Sequence, residues 1–318
     1  MPDPRERVAL GRTALRVTRL GLGCAPIGNL FEPVSETQAR ATVGAAWAAG
    51  VRWFDTAPAY GRGRSEQRLG RALRGRARGH YVLASKVGRL LRPGVEPAPE
   101  FADVPPLKPV WDFSHDGALR SIEESLTRLG LDRLDVVHVH DPDDHEAEAV
   151  AGAFRALRRL RDEKVIGAVG AGMNQSAMLT RFVERGLVDC VLVAGRTTLL
   201  DDSAARDLLP AAQRAGVAVI AAGVFNSGIL AAPRDGATYD YAPAKPELVA
   251  RARALEAACT RFGVSLRAAA LQFPLRHPAV TCVLVGARSP GEVDEAAAQL
   301  AAPLPPELWA ELASGDPD

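Results

Sequence analysis

Val51-Arg52-Trp53-Phe54 is an apolar run that passes into Asp55-Thr56-Ala57-Pro58-Ala59-Tyr60-Gly61, and Ser65-Glu66 then reads as a helix start. A strand, a loop broken by Pro58 and Gly61, and a helix form one β-loop-α unit. The unit sets Asp55 at the strand end and Tyr60 in the loop that follows.

Working outward, the same unit recurs. Strands are expected at Leu20 to Leu22, Val51 to Phe54, Tyr81 to Ser85, Leu134 to Val139, Val165 to Val169, Cys190 to Val193, Val217 to Ala221 and Thr281 to Val285. Ser35-Glu36-Thr37-Gln38 has capping-box spacing and opens a helix through Ala49, which Gly50 stops. Further helices are expected at Ser65 to Arg74, Ser114 to Leu129, Glu146 to Arg161, Gln175 to Glu184, Ala204 to Ala215, Pro246 to Phe262 and Pro290 to Leu300. The strands are apolar without strict alternation, as strands buried on both faces are. Strand and helix in turn imply parallel pairing, and eight repeats favour closure over an open sheet. The expected fold is α/β, a (β/α)8 TIM barrel forming one domain over residues 1–318. Val8 to Leu10 and Leu15 to Val17 flank a Gly11 turn as a hairpin placed to plug one end of the sheet.

Two stretches exceed a minimal barrel. Gly88 to Pro109 is proline-rich with few apolar anchors, and Val224 to Pro243 runs through Asn226-Ser227-Gly228 into a Pro, Gly and Tyr-bearing segment. Both follow strands, so both are expected as long functional loops at the C-terminal mouth, where barrel enzymes work. The tail after Ala301 is expected to fold as one short helix around Trp309.

Composition narrows the function classes. The 318-residue, 33.7 kDa chain is 47% hydrophobic and 24% charged, ordinary for a soluble protein with a large core. A formal charge of +1 without a basic, aromatic-interleaved stripe argues against nucleic acid and for a small-molecule substrate. Cys24, Cys190, Cys259 and Cys282 are scattered without metal-ligand or disulfide spacing, so they read as reduced, mostly buried thiols and no metal site is expected. The charged Met1 to Arg7 is not a signal peptide, and no apolar run is long enough for a bilayer, so a cytoplasmic protein is expected.

Asp55, Tyr60, Lys86 and His140 fall at or just past the ends of the second, third and fourth expected strands. An ammonium entering a barrel mouth needs an anionic partner, and Asp55 is the natural one. A lysine beside a phenol favours the phenolate; bringing a tyrosine towards neutrality takes about 3–4 kcal/mol, within reach of one close cation. In His138-Val139-His140-Asp141, one of the two histidines is expected to face the core as a satisfied structural residue. The aspartates after them read as a polar turn more readily than as metal ligands.

These motifs, with Ser85-Lys86-Val87-Gly88, Ser121 to Gly130, Asp135 to His140 and Gly286-Ala287-Arg288-Ser289-Pro290 in order, resemble the aldo-keto reductases over nearly the whole chain. The resemblance implies a catalytic tetrad of Asp55, Tyr60, Lys86 and His140. In it Tyr60 exchanges the proton, Lys86 tunes it, Asp55 holds Lys86 and His140 orients the substrate oxygen. It also implies a nicotinamide cofactor, NAD or NADP, extended across the mouth without a Rossmann fingerprint. Asn174 matches the amide that holds the carboxamide, Asn226, Ser227 and Gly228 the loop over the pyrophosphate, and Gly286, Arg288, Ser289, Glu292 and Glu295 the adenosine segment. Met173 stands where many members have Ser, and Ala194 near where many carry Gln. Glu292 stands where many NADPH-preferring members have Arg, and an acid there suits a free ribose hydroxyl, which favours NAD.

Leu192 to Leu200, Phe225 to Leu230 and His140-Asp141-Pro142-Asp143 are most similar to the aldose 1-dehydrogenase subgroup, which acts on L-fucose, D-threo-aldose, L-galactose or D-arabinose type sugars. That implies oxidation at C1 to the lactone. Asp141 and Arg196 are then candidate substrate contacts, their alternative being a mutual or solvent pairing. An NADPH-dependent aldehyde or ketone reductase, of broad or pyridoxal-type specificity, remains open. So does a cofactor-sensing, channel-subunit-like binding module. A monomer or small homo-oligomer is expected.

Overall fold

The structure, a computed structural model, describes residues 2–314. Eight strands close into a barrel. They are β1 (Leu20–Gly23), β2 (Trp53–Asp55), β3 (Val82–Val87), β4 (Val136–His140), β5 (Ala168–Met173), β6 (Cys190–Ala194), β7 (Ala218–Ala222) and β8 (Val280–Gly286). Each pairs in parallel with the next, and β8 returns to β1. Outward residues such as Phe54, Leu83, Val137, Val169 and Val283 pack beneath the helices. Inward ones such as Trp53, Ala84, Val136, Cys190, Ile220 and Cys282 fill the barrel. Burial on both faces is why these strands read as continuous apolar runs, each large side chain contributing about 1.5–3 kcal/mol.

The N-terminal hairpin pairs Arg7–Ala9 with Arg16–Thr18. Leu10 and Val17 are fully buried within the inner cluster, and Leu15 lies against Gly167, just ahead of β5. The hairpin therefore stops the N-terminal end of the barrel. The helices follow the expected order; Ser35 caps its helix as its spacing indicated, and Ser114 and Ser289 likewise each accept a backbone N–H of the first turn.

Five segments differ from the sequence reading. Gly88 to Pro109, expected as a loop, contains an antiparallel ladder of Arg89–Pro93 with Leu107–Trp111. Val224 to Pro243 likewise holds a short ladder of Thr238–Tyr239 with Ala242–Pro243. The helix expected over Glu146 to Arg161 divides at Gly152 into Glu146–Ala151 and Ala153–Asp162, because Ala153 N turns to donate to Phe113 O at 2.8 Å. After Pro246–Arg261 an unforeseen helix, Leu266–Gln272, starts on a Ser265 cap and sends Leu271 into the main core. Pro246–Arg261 itself packs with Leu199, Ile229 and Leu308 in a separate cluster. The fifth strand also runs later than Val165 to Val169. Its glycines weaken the strand pattern, yet a Cβ at Gly170 would lie 2.2 Å from His138 Nδ1. The tail helix around Trp309 is present as Pro306–Ser314. Among the described residues no helix is long and apolar enough to cross a membrane, and the four cysteines are free and buried.

The helices Arg64–Leu73 and His115–Leu129 meet where a Cβ on Gly70 would lie 1.8 Å from the Leu129 carbonyl oxygen. Backbone cannot yield as a flexible side chain does. Gly70→Ala is therefore expected to destabilise the protein by about 1–3 kcal/mol, read as a lower urea midpoint, and an unchanged midpoint would refute this packing.

Candidate active site

The C-terminal ends of β2, β3 and β4 bring three of the four expected residues together, and the loop after β2 supplies the fourth. Lys86 and Asp55 each leave 1% of the side chain exposed. Lys86 Nζ donates to Asp55 Oδ1 and, at 2.9 Å, to the Thr56 carbonyl oxygen. It also lies 4.6 Å from the centroid of the Tyr60 ring. Tyr60 stands edge-on to His140, ring centroids 5.8 Å apart, and its other side stacks on Phe101 at 6.2 Å. Tyr60 keeps its place because its loop turns tightly: Tyr60 N donates to Ala57 O and Ser65 N to Tyr60 O.

Burial acts to lower the Lys86 pKa, but Asp55 and Tyr60 outweigh it and raise the value. The lysine is a permanent cation. Tyr60 is moved upward: desolvation is the largest cause, Lys86 opposes it and Asp55 adds to it. This corrects the expectation that Lys86 brings the phenol towards neutrality. His140 falls well below its ordinary value through burial, then Arg89 and Lys86, so its imidazole is neutral.

His138 and His140 share one face, two residues apart on the same strand, and both are buried. The expectation of one satisfied structural histidine fails here. His138 has no partner at either ring nitrogen, and its Nε2 lies 3.9 Å from Asp55 Oδ2, itself unpartnered. Burial and Lys86 press its pKa down to about 3.

Asp141 and Arg196 do not pair with each other. Asp141 accepts from Arg89 Nη2, and its Oδ2 is 3.4 Å from His140 Nε2. Arg196 makes a two-pronged bond to Asp240, at 3.1 and 2.7 Å, with Asp201 at 3.5 Å. Its guanidinium thus braces the loop after β7.

The residues expected around a dinucleotide line the same end. Asn174 is exposed directly after β5. Asn226 is buried with φ 44°; its Nδ2 donates to Gly195 O at 3.2 Å while its Oδ1 has no partner. Ser227 and Gly228 follow with φ 58° and 103°, and nothing lies within 4 Å of the space a Cβ on Gly228 would take. An orphaned amide oxygen beside open backbone fits a polar ligand laid across this loop. Gly286 ends β8 beside Gly23. Arg288 is held by Glu32 at 2.8 Å and Glu292 at 3.3 Å, Ser289 caps the following helix, and Glu295 pairs with Arg267. Among the described residues no group of His, Cys, Asp or Glu could hold a metal ion.

Arg89, Phe101 and Tyr241 were not foreseen. Arg89 comes three residues after Lys86 and had a positional signal. Phe101 and Tyr241 sit in stretches without periodicity, so nothing local pointed to them.

The sequence model of the aldo/keto reductase family matches residues 19–316. The chain belongs to the aldo/keto reductase family. It is therefore an oxidoreductase, and members of this family use nicotinamide cofactors. It is 43% identical to a pyridoxal 4-dehydrogenase of Microbacterium luteolum, over 97% of both chains. It is also 43% identical to a D-threo-aldose 1-dehydrogenase of a Pseudomonas species, over 96% of both. Among solved structures it is similar to a holo aldo-keto reductase of Bacillus halodurans, with a TM-score of 0.79, 25% identity, and coverage of 98% of this chain and 96% of that one.

Buried neutral histidine makes this site acid-sensitive. As pH falls, the unfolded chain takes up a proton near the ordinary value of 6.5, while folded His138 resists until about 3. Its contribution is complete above that ordinary value and is lost as the pH drops through the window. The urea midpoint is expected to fall between pH 7 and pH 5, and to fall less steeply in His138→Asn; equal slopes would contradict this reading.

Proposed function

We propose that the protein oxidises an aldose-type lactol at C1 to the lactone, with Tyr60 taking the hydroxyl proton. The observation that carries the reading is the buried Lys86 cation, tied to Asp55 and facing the Tyr60 ring, with His140 edge-on to the same ring. Neutral His140 orients the reacting oxygen through a ring nitrogen. Asp55 fixes Lys86, and Lys86 favours the phenolate that forms when Tyr60 gives up its proton. Asn174, Asn226, Ser227, Gly228, Gly286, Arg288 and Ser289 would hold the cofactor. Bound there, the cofactor would supply the hydride acceptor that oxidation at C1 requires. C1 thus loses a hydride and O1 a proton, and the carbonyl of the lactone forms.

The dehydrogenase names of the two relatives support this direction. The upward displacement of the Tyr60 pKa favours a second reading, carbonyl reduction, since a protonated phenol is ready to donate to a carbonyl oxygen. NAD is the favoured cofactor. Glu32 and Glu292 neutralise Arg288, leaving little net attraction for a 2′-phosphate.

Tyr60→Phe is expected to lose at least about a thousandfold in kcat, within the range of general acid-base catalysis, while cofactor still quenches tryptophan fluorescence. Retained turnover would end the mechanism. With aldoses as substrate, kcat/KM is expected to be higher with NAD than with NADP, and Glu292→Gln to raise the NADP value about threefold to tenfold. A variant whose cofactor ratio does not move would remove Glu292 from the selection.

A further inference from the structure

We infer that Arg89 and Asp141 form a paired subsite that reads the hydroxyl on the carbon next to the reacting one, and so select aldoses that carry a 2-hydroxyl. The inference rests on the proposed oxidation at C1 and names the feature of the substrate that the site recognises.

Three observations fix the position of the pair. Asp141 Oδ2 lies 3.4 Å from His140 Nε2, taken in this inference as the ring nitrogen that meets the reacting oxygen. That separation is close to the distance between neighbouring oxygens of a vicinal diol, so with O1 on His140, O2 falls at Asp141. Second, the carboxylate is aimed by the backbone. Asp141 holds φ 43°, and its N–H donates to Gly172 O at 3.0 Å at the end of β5. Third, Arg89 is held from the opposite side. It faces Trp111 across the ladder, its guanidinium carbon sits 4.5 Å from that ring's centroid, and Nη2 donates to Asp141 Oδ2.

The pair also has capacity to spare. Asp141 Oδ1 makes no hydrogen bond among the described residues, while Oδ2 accepts from Arg89 Nη2. Side-chain exposures of 21% for Arg89 and 25% for Asp141 open both to the mouth, in contrast to the 1% of the Lys86–Asp55 pair. A hydroxyl both donates and accepts. It can give its proton to the carboxylate and receive one from the guanidinium, which a methylene cannot do. A 2-deoxy sugar would exclude water from the pair and leave it unmatched, the situation that gives hydroxyl-reading sites their discrimination.

The test measures kcat/KM for L-fucose and D-arabinose, each against its 2-deoxy counterpart, in the wild type and in Asp141→Gly, Asp141→Asn and Arg89→Gln. Glycine and asparagine both tolerate the left-handed backbone of Asp141, and cofactor quenching of tryptophan fluorescence checks that each variant is folded. Comparing variants by the ratio of the paired sugars cancels the intrinsic reactivity of the deoxy compounds. The ratio is expected to shrink about tenfold to a hundredfold in Asp141→Gly, the worth of a hydrogen bond to a charged group, and to shrink in the other two variants as well. A ratio that stays at the wild-type value in Asp141→Gly, with the parent sugars still oxidised, overturns the subsite and leaves the proposed function standing. No oxidation of either parent sugar by the wild type overturns the proposed function and the subsite with it.

Discussion

A buried lysine keeps its charge only where an anion or strong acceptors meet it. Lys86 is buried near the end of β3, and the neighbouring strand β2 ends on the carboxylate that meets it, Asp55, which is in register with Ala84. The remainder of the site follows from that demand. The loop after Asp55 has to turn at once to bring Tyr60 over the cation, and β4 has to place His140 beside the phenol. Gly172 on β5 supplies the carbonyl that pins Asp141. Four adjacent strands are thus committed, in order, by one buried charge.

Around this centre the wall is built from loops held in costly conformations. Phe31 and Tyr241 both have left-handed φ, 65° and 63°, and their rings meet across the mouth at 6.1 Å. Bulky residues avoid this region, and such strain concentrates at functional sites where the surroundings over-determine it. Here the surroundings are identifiable. Tyr241 N donates to Ser227 Oγ at 3.0 Å, and Asp240 is gripped by Arg196. Phe31 N donates to Glu100 O at 2.7 Å.

The barrel and the gathering of Asp55, Tyr60, Lys86 and His140 at its mouth were legible in the chain because both are written locally. A parallel strand buried on both faces is an apolar run, and a residue at its end is at the mouth, so Asp55, Lys86 and His140 could be placed by counting. What escaped was set by contacts between distant segments. The Gly170 strand looked weak until His138 was seen to need its missing side chain. The ladder of Arg89–Pro93 with Leu107–Trp111 was hidden by proline-rich sequence. Asp141 meeting Arg89, and Arg196 meeting Asp240, depend on which loops cross the mouth, and no periodicity reports that. The direction of the Tyr60 shift escaped for another reason: the sequence reveals a nearby cation but not how completely the phenol is desolvated.

The N-terminal hairpin has a consequence for traffic through the molecule. With Leu10 and Val17 packed at the base and the interior filled by Trp53, Ile220 and Leu284, the barrel is closed at its N-terminal end among the described residues. In the proposed oxidation, substrate, cofactor and the proton taken by Tyr60 would share the opposite rim. On that proposal the proton would leave past the seat of the departing product, so emptying the site and resetting Tyr60 would become parts of the same event.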